Sequence, residues 1–238
     1  NNGQINTEEF YTNGKIDGKS TRWDIYGNLR NITTFRDGKR GHSTSWHKNG
    51  QISTITNSKN GKYDGITSSY YPNGNKFIEI LFQNDIAISS SEYEYDENGQ
   101  LILEINHEGE NEVGRTEYEY HENGQMGQAS SFKNGKLNGI TTIWFENGQQ
   151  KSIANAKDDQ RHGEFIIWYE NGQIHMQGNF KEDEIDGILT TWYEGGQKQA
   201  QGNVIDGKRD GKWTAWDENG QKLEEAIYKD DVCISGDC

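Results

Sequence analysis

The sequence predicts an all-β protein, an elongated tandem array of β-hairpins in about ten repeats of roughly 24 residues. Three observations predict it: a turn glycine that recurs at near-constant spacing, an aromatic residue at a fixed distance before it, and a composition too polar for one large core. The glycines Gly3, Gly27, Gly50, Gly74, Gly99, Gly124, Gly148, Gly172, Gly196 and Gly220 follow one another at intervals of 23 to 25 residues. A fixed period of this length is the mark of a repeat architecture, in which each unit buries its apolar strip only against its neighbours.

The turn comes first. Asn precedes the glycine in eight of the ten copies and Gln follows it in eight, as in Trp168-Tyr169-Glu170-Asn171-Gly172-Gln173. Asn-Gly between strand-like runs is a strong hairpin signal, since a type I′ turn needs positive φ at both central residues. The expectation is therefore a type I′ turn at each Asn-Gly. Four residues before the glycine stands an aromatic in every copy that can be scored: Trp23, Trp46, Tyr70, Tyr95, Tyr120, Trp144, Trp168, Trp192 and Trp216. This series is the expected interlocking core. Nine residues before the turn lies a second glycine (Gly18, Gly41, Gly65, Gly139, Gly163, Gly187, Gly211), replaced only by Ser90 and Arg115.

The segments flanking each turn read as strands. Thr141-Thr142-Ile143-Trp144-Phe145 is rich in β-branched and aromatic residues, which suit a pleated sheet. Two strands and two turns fill 24 residues and leave no room for a helix. With strands about 4.8 Å apart, each copy advances the array about 10 Å, so ten copies reach on the order of 90–100 Å as a twisted antiparallel ribbon. Residues 1–228 form one array, with atypical copies near 84–115, where a bulge or a change of curvature is expected. Residues 229–238 form a C-terminal cap or tail.

Composition agrees. Hydrophobic residues make up 30%, mean hydropathy is −1.06, and the formal net charge is −14. Such values often mean disorder, but an aromatic content of 11% and a single proline oppose that reading. No apolar run is long enough to span a bilayer. No cluster of Lys and Arg stands out along the chain, so nucleic acid is not an expected partner, and the acidity disfavours anionic lipid.

The pattern Gly-x-x-x-Gly followed by aromatic-x-Glu-Asn-Gly-Gln resembles the MORN repeat in its bacterial variant form, best over residues 139–220. Bacterial proteins of this kind are often labelled YwqK-type antitoxins. The resemblance implies a β-hairpin array, a protein-binding or scaffolding role, and no catalytic residues.

The search for chemistry yields surfaces in place of a catalytic site. The six histidines make no HxH, HxxxH or HExxH spacing, and no phosphate loop or nucleophile elbow is present. No enzyme, cofactor or metal is expected. Glu146, Glu170 and Glu194, two places before the turn glycine, would line one edge as an acidic ridge for a basic protein. Phe145, Tyr169 and Tyr193 follow the core series by one residue and so point to the other face. With the three glutamates they are the candidate partner-binding residues. Cys233 and Cys238 are spaced for a disulfide, which favours an extracytoplasmic setting. The expected function is a non-catalytic protein-binding scaffold at the bacterial envelope or secreted. An antitoxin neutralising a basic toxin and a carbohydrate-binding module are the alternatives.

Overall fold

The structure, a computed structural model, describes residues 5–237. Every regular element among them is a β-strand, and there is no helix. The chain divides into two compact units, Asn1–Val113 and Gly114–Cys238.

In the first unit Thr7–Glu8 pairs with Gly18–Trp23. Leu29–Arg36, Lys39–Trp46, Ile52–Thr56, Gly65–Tyr70, Lys76–Gln83, Ile86–Tyr95 and Leu101–Glu108 then follow, each antiparallel to the one before. The strand Asn111–Tyr120 carries the boundary. From it the second unit runs through Met126–Lys133, Lys136–Trp144, Gln150–Lys157, Gln160–Trp168 and Ile174–Lys181. It continues with Gly187–Trp192, Lys198–Ile205, Lys208–Trp216, Lys222–Lys229 and Val232–Gly236. Consecutive strands are neighbours throughout, so the contacts of each unit are local in sequence. Val232–Gly236 pairs with Lys222–Lys229, so the described part of the expected tail takes the same hairpin form as the rest.

The type I′ conformation expected at the Asn-Gly turn belongs to the other kind of turn. At the Asn-Gly turn, Gly172 N donates to Tyr169 O at 2.9 Å and Tyr169 N donates to Gln173 O at 2.8 Å. Only the glycine there has positive φ (+85°); Asn171 is absent from the left-handed residues. This is a three-residue loop, a type I turn closed by a left-handed glycine. The type I′ turns lie at the opposite edge, where both central residues have positive φ: Asp37-Gly38, Asn60-Gly61, Asn134-Gly135, Asp158-Asp159, Asp206-Gly207 and Asp230-Asp231 among them. The expected type I′ geometry thus holds one half-repeat away. A left-handed Asn is not needed at the Asn-Gly turn, and another task selects the Asn there.

Bulges are a regular feature, not a mark of 84–115. Beside each Asn-Gly turn the ladder skips a residue: Ile167 faces Met176 but Trp168 faces Ile174. The same shift occurs next to Trp23, Trp46, Tyr70, Tyr95, Tyr120, Trp144, Trp192 and Trp216. Except at Gly41, the second glycine takes a left-handed φ (Gly187 +105°, Gly139 +111°), and the strand is interrupted or bulged there. Where Ser90 and Arg115 replace it, a side chain excludes that conformation. Ser90 pairs with Ile80 and Arg115 with Phe132 inside ten-residue strands, and a one-residue bulge at Ile88 remains beside Ser90.

The deepest burial follows a row that crosses the strands. In the first unit it is Ser20, Thr33, Ser43 and Thr56, successive cross-strand partners and all buried. Their hydroxyls are satisfied locally: Thr33 Oγ1 and Ser43 Oγ lie 2.8 Å apart, and Asn31 Nδ2 donates to Ser43 Oγ at 3.0 Å. In the second unit the row reads Ala154, Phe165, Gly178 and then Leu189, Gly202, Trp213, Ala226, small and large in alternation. A Cβ on Gly178 would meet Phe165 Cε1 at 3.0 Å and Leu189 Cδ1 at 3.1 Å. Each glycine makes room for its large neighbours, and all the buried hydrophobic side chains lie in this unit. The nine aromatics expected as the core, Trp23 through Trp216, are half-buried beside it.

Candidate functional site

The second unit presents two edges, one made of Asn-Gly turns and one of type I′ turns. Along the first, copies are tied by side chains that reach the next copy's backbone. Asn123 Nδ2 donates to Glu146 O at 2.7 Å, Asn147 to Glu170 O at 3.3 Å, and Asn171 to Glu194 O at 2.9 Å. The Oδ1 of the same Asn accepts from the following Gln amide, as with Gln173 N to Asn171 at 2.9 Å. Bridging its own turn to the next is the task that selects Asn.

The residue after the half-buried aromatic makes a second tie. Tyr169 Oη donates to Trp192 O at 2.8 Å and Tyr193 Oη to Trp216 O at 3.0 Å. At the same position His121 Nε2 lies 3.0 Å from Trp144 O, and in the first unit His47 Nε2 lies 2.7 Å from Tyr70 O. Phe145, Tyr169 and Tyr193 are accordingly half-buried. Tyr169 also stacks on His175 with ring centroids 4.4 Å apart. Burial raises the Tyr169 phenol pKa, and the nearby Glu194 carboxylate raises it further. Tyr169 and Tyr193 are couplers first; what they and Phe145 offer a partner is their outer surface. Glu146, Glu170 and Glu194 are exposed at the turn tips.

At the other edge three type I′ turns are latched to the preceding copy by an Asp carboxylate. Asp159 Oδ1 accepts from Leu137 N at 2.7 Å, Asp183 Oδ1 from Arg161 N at 2.9 Å, and Asp231 Oδ1 from Arg209 N at 2.9 Å. The backbone bond from Arg161 N holds the Asp183 carboxyl below its usual pKa, and the Arg161 side chain adds to this. Arg209 does the same for Asp231. These guanidiniums also lie over aromatic rings, Arg161 over Phe180 at 4.3 Å and Arg209 over Tyr228 at 3.9 Å.

Sequence reasoning missed a basic region. Residues 10–63 hold ten of the 24 Lys and Arg but three of the 38 Asp and Glu, a net +7 that leaves −21 on the rest. Nowhere are these cations consecutive enough to read as a cluster; stacking of the first three type I′ turns collects six of them, Lys15, Arg36, Lys39, Arg40, Lys59 and Lys62. Of the expected disulfide pair, Cys238 lies outside the described residues, and no described cysteine is free. Among the described residues no three His, Cys, Asp or Glu are grouped to hold a metal, and no helix is long and apolar enough to cross a membrane.

The MORN repeat variant family matches residues 63–84, 91–108, 161–182 and 209–230. The chain carries MORN-variant repeats. Three of the four MORN matches start just after one type I′ turn and end in the next, so the family's unit is one Asn-Gly hairpin. The shorter match, 91–108, begins just after Ser90, where the second glycine is missing. No curated protein is similar to the chain at a significant level. Among solved structures, the Tc holotoxin pore of Photorhabdus luminescens is similar at 12% identity, with 90% of this chain and 16% of that chain covered and a TM-score of 0.34. TcdB2-TccC3 without its hypervariable C-terminal region is similar at 12% identity, over 93% of this chain and 15% of that one, with a TM-score of 0.36. A protein of unknown function from Bacteroides fragilis is similar at 12% identity, over 64% of this chain and 91% of that one, with a TM-score of 0.13. The MORN array here spans about one-sixth of the length of the first two.

Proposed function

We propose that this chain is a non-catalytic, protein-binding MORN-variant scaffold whose Asn-Gly edge in the second unit receives a basic protein. The observation that carries the reading is the ordered row of Glu146, Glu170 and Glu194. Each carboxylate stands exposed on a turn whose own Glu carbonyl accepts an Asn from the copy before. Two strands per copy space the three tips about 10 Å apart. Charges held this way steer a complementary partner and fix its register more than they add raw affinity. The outer surfaces of Phe145, Tyr169 and Tyr193 lie behind the tips and supply apolar contact. A basic toxin is one partner of that chemistry, and loss of the toxin's activity on binding would assign the antitoxin role. That Cys233 is disulfide-bonded supports an oxidising, extracytoplasmic setting.

The test is binding of a Lys-rich peptide, followed by fluorescence anisotropy at two salt concentrations. The reading expects the triple change Glu146→Gln, Glu170→Gln, Glu194→Gln to weaken binding about tenfold and to flatten the salt dependence. Undiminished binding by the triple variant would remove this edge from the function.

A further inference from the structure

The first unit's type I′ edge carries a ladder of cations that the acidic reading of the chain does not use. The residue after each of the first three turns is a lysine: Lys15 after Asn13-Gly14, Lys39 after Asp37-Gly38, and Lys62 after Asn60-Gly61. These turns stack directly. Gly38 N donates to Ile16 O at 2.8 Å and Gly61 N to Arg40 O at 3.2 Å. The stem of Lys15 packs 3.7 Å from where a Gly38 Cβ would stand, and that of Lys39 packs 3.8 Å from the same place on Gly61. The three lysines therefore succeed one another copy by copy, all exposed. Arg36 and Lys59, just before the second and third turns, extend the row. The fourth turn, Asn84-Asp85, is followed by Ile86 and ends it.

Between the second and third turns lies a cleft of about 490 Å³ lined by Arg36, Lys39, Arg40 and Lys59, with Thr34 and Ser58. Asp37 is the one acid in its wall. Arg40 reaches over the Tyr63 ring at 5.9 Å, and its Nε is buried with no hydrogen-bond partner. In the second unit the corresponding cations are latched to Asp183 and Asp231 of the next turn. The first-unit cleft instead offers guanidinium and ammonium donors with room beside them, the donor set that takes carboxylate oxygens in bidentate or point-charge fashion.

We infer that this edge is a second binding surface, opposite in charge to the first, which receives an extended acidic polypeptide with a carboxylate at every third residue. The spacing decides the pattern. Copies repeat about every 10 Å, and an extended ligand of polyproline II form advances about 3.1 Å per residue with three residues per turn, so every third side chain faces the ladder about once per copy. The remaining −21 argues for a short peptide over nucleic acid, whose long charged backbone would be repelled beyond the ladder. The surface uses no residue of the Glu146–Glu194 row, so either proposal can fail alone.

The experiment measures the whole chain by anisotropy against three labelled probes: a nine-residue peptide with Glu at every third position, a peptide of the same composition with its glutamates adjacent, and a single-stranded oligonucleotide. The spaced peptide is expected to bind best, more weakly as salt rises. The exposed substitutions Lys15→Gln, Lys39→Gln and Lys62→Gln together are expected to cost about tenfold. Lys136→Gln with Lys208→Gln, on the second unit's edge, should change nothing. Unchanged binding by the triple variant, no preference for the spaced peptide, or tighter binding of the oligonucleotide would each overturn the proposal.

Discussion

Gly202→Ala tests the small–large row at its tightest point. An added Cβ would fall inside the Trp213 indole, against Cγ, Cδ2 and Cε2. The indole has little freedom to yield, because it faces Ala226 on its other side and its Nε1 donates to Asn203 O at 2.9 Å. Gly202 does not have positive φ, so alanine introduces no backbone strain, and in an open strand it would gain about 0.5–1 kcal/mol over glycine. Against that gain stand overpacking, about 1–3 kcal/mol, and loss of the indole hydrogen bond, about 0.5–1.5 kcal/mol. The net destabilisation is about 1–3 kcal/mol. For a chain of this size each kcal/mol moves Tm by roughly 2–4 °C, so the midpoint should fall by about 2–12 °C. Thermal melts followed at the β-sheet circular-dichroism band would show it. In a Trp213→Leu background the same Gly202→Ala change should become neutral or stabilising. If Gly202→Ala stabilises the protein with Trp213 in place, the packing row does not govern this unit.

Two further outcomes follow from the turns. Glu182 is held at φ +51° in a type I′ turn with Asp183, a conformation that Asn and Gly adopt readily and other residues adopt at a cost of about 1 kcal/mol. Glu182→Asn should raise Tm by a few degrees in the same melt; a fall would mean its side chain has a role beyond the turn. The Asp183 and Asp231 carboxyls are held below the ordinary value by the Arg161 and Arg209 backbone amides and side chains. Groups of this kind stabilise above the unfolded carboxyl pKa, and that stability is lost as pH falls through the depressed folded values. Tm should thus drop below about pH 4, and it should drop less steeply in the Asp183→Asn, Asp231→Asn double variant. An equal slope in that variant would show that these latches do not govern the acid response.

Much of the architecture was legible because a repeat prints its own register. The turn glycines and the aromatic four places before them gave strand order and hairpin polarity without any structure, and the antiparallel ladders follow that order. The turn conformations were not legible, since Asn-Gly fits two hairpin turns and only the loop length chooses between them. The buried row escaped notice for a different reason. Ser20, Thr33, Ser43 and Thr56 carry no hydrophobic signal, while Gly178 and Gly202 are informative only beside Phe165, Leu189 and Trp213, which cross-strand register brings next to them. The lysine ladder was hidden in the same way: 23 or 24 residues separate cations that stacking sets side by side.

The position one residue after the half-buried aromatic shows how such an array adjusts the tie between copies without changing its fold. Where it is Asp, the carboxylate caps its own turn: Asp24 accepts from Tyr26 N and Asn28 N, Asp96 from Asn98 N and Gln100 N, and Asp217 from Asn219 N and Gln221 N, all at 2.8–3.0 Å. At His121 and Tyr169 the side chain instead crosses to the next copy's carbonyl and Asn takes over the capping of the turn, while Tyr193 crosses likewise with Gly195 standing in the Asn position. Both arrangements satisfy the backbone amide after the turn glycine, so the hairpin forms either way. They differ in whether the bond holds one copy or joins two. In a protein whose stability is a sum of unit and neighbour contributions, this single position moves a hydrogen bond from the first to the second. The stretch from His121 to Trp216, tied in this way at His121, Tyr169 and Tyr193, is the part of the Asn-Gly edge best braced to hold the row Glu146, Glu170 and Glu194 in fixed register.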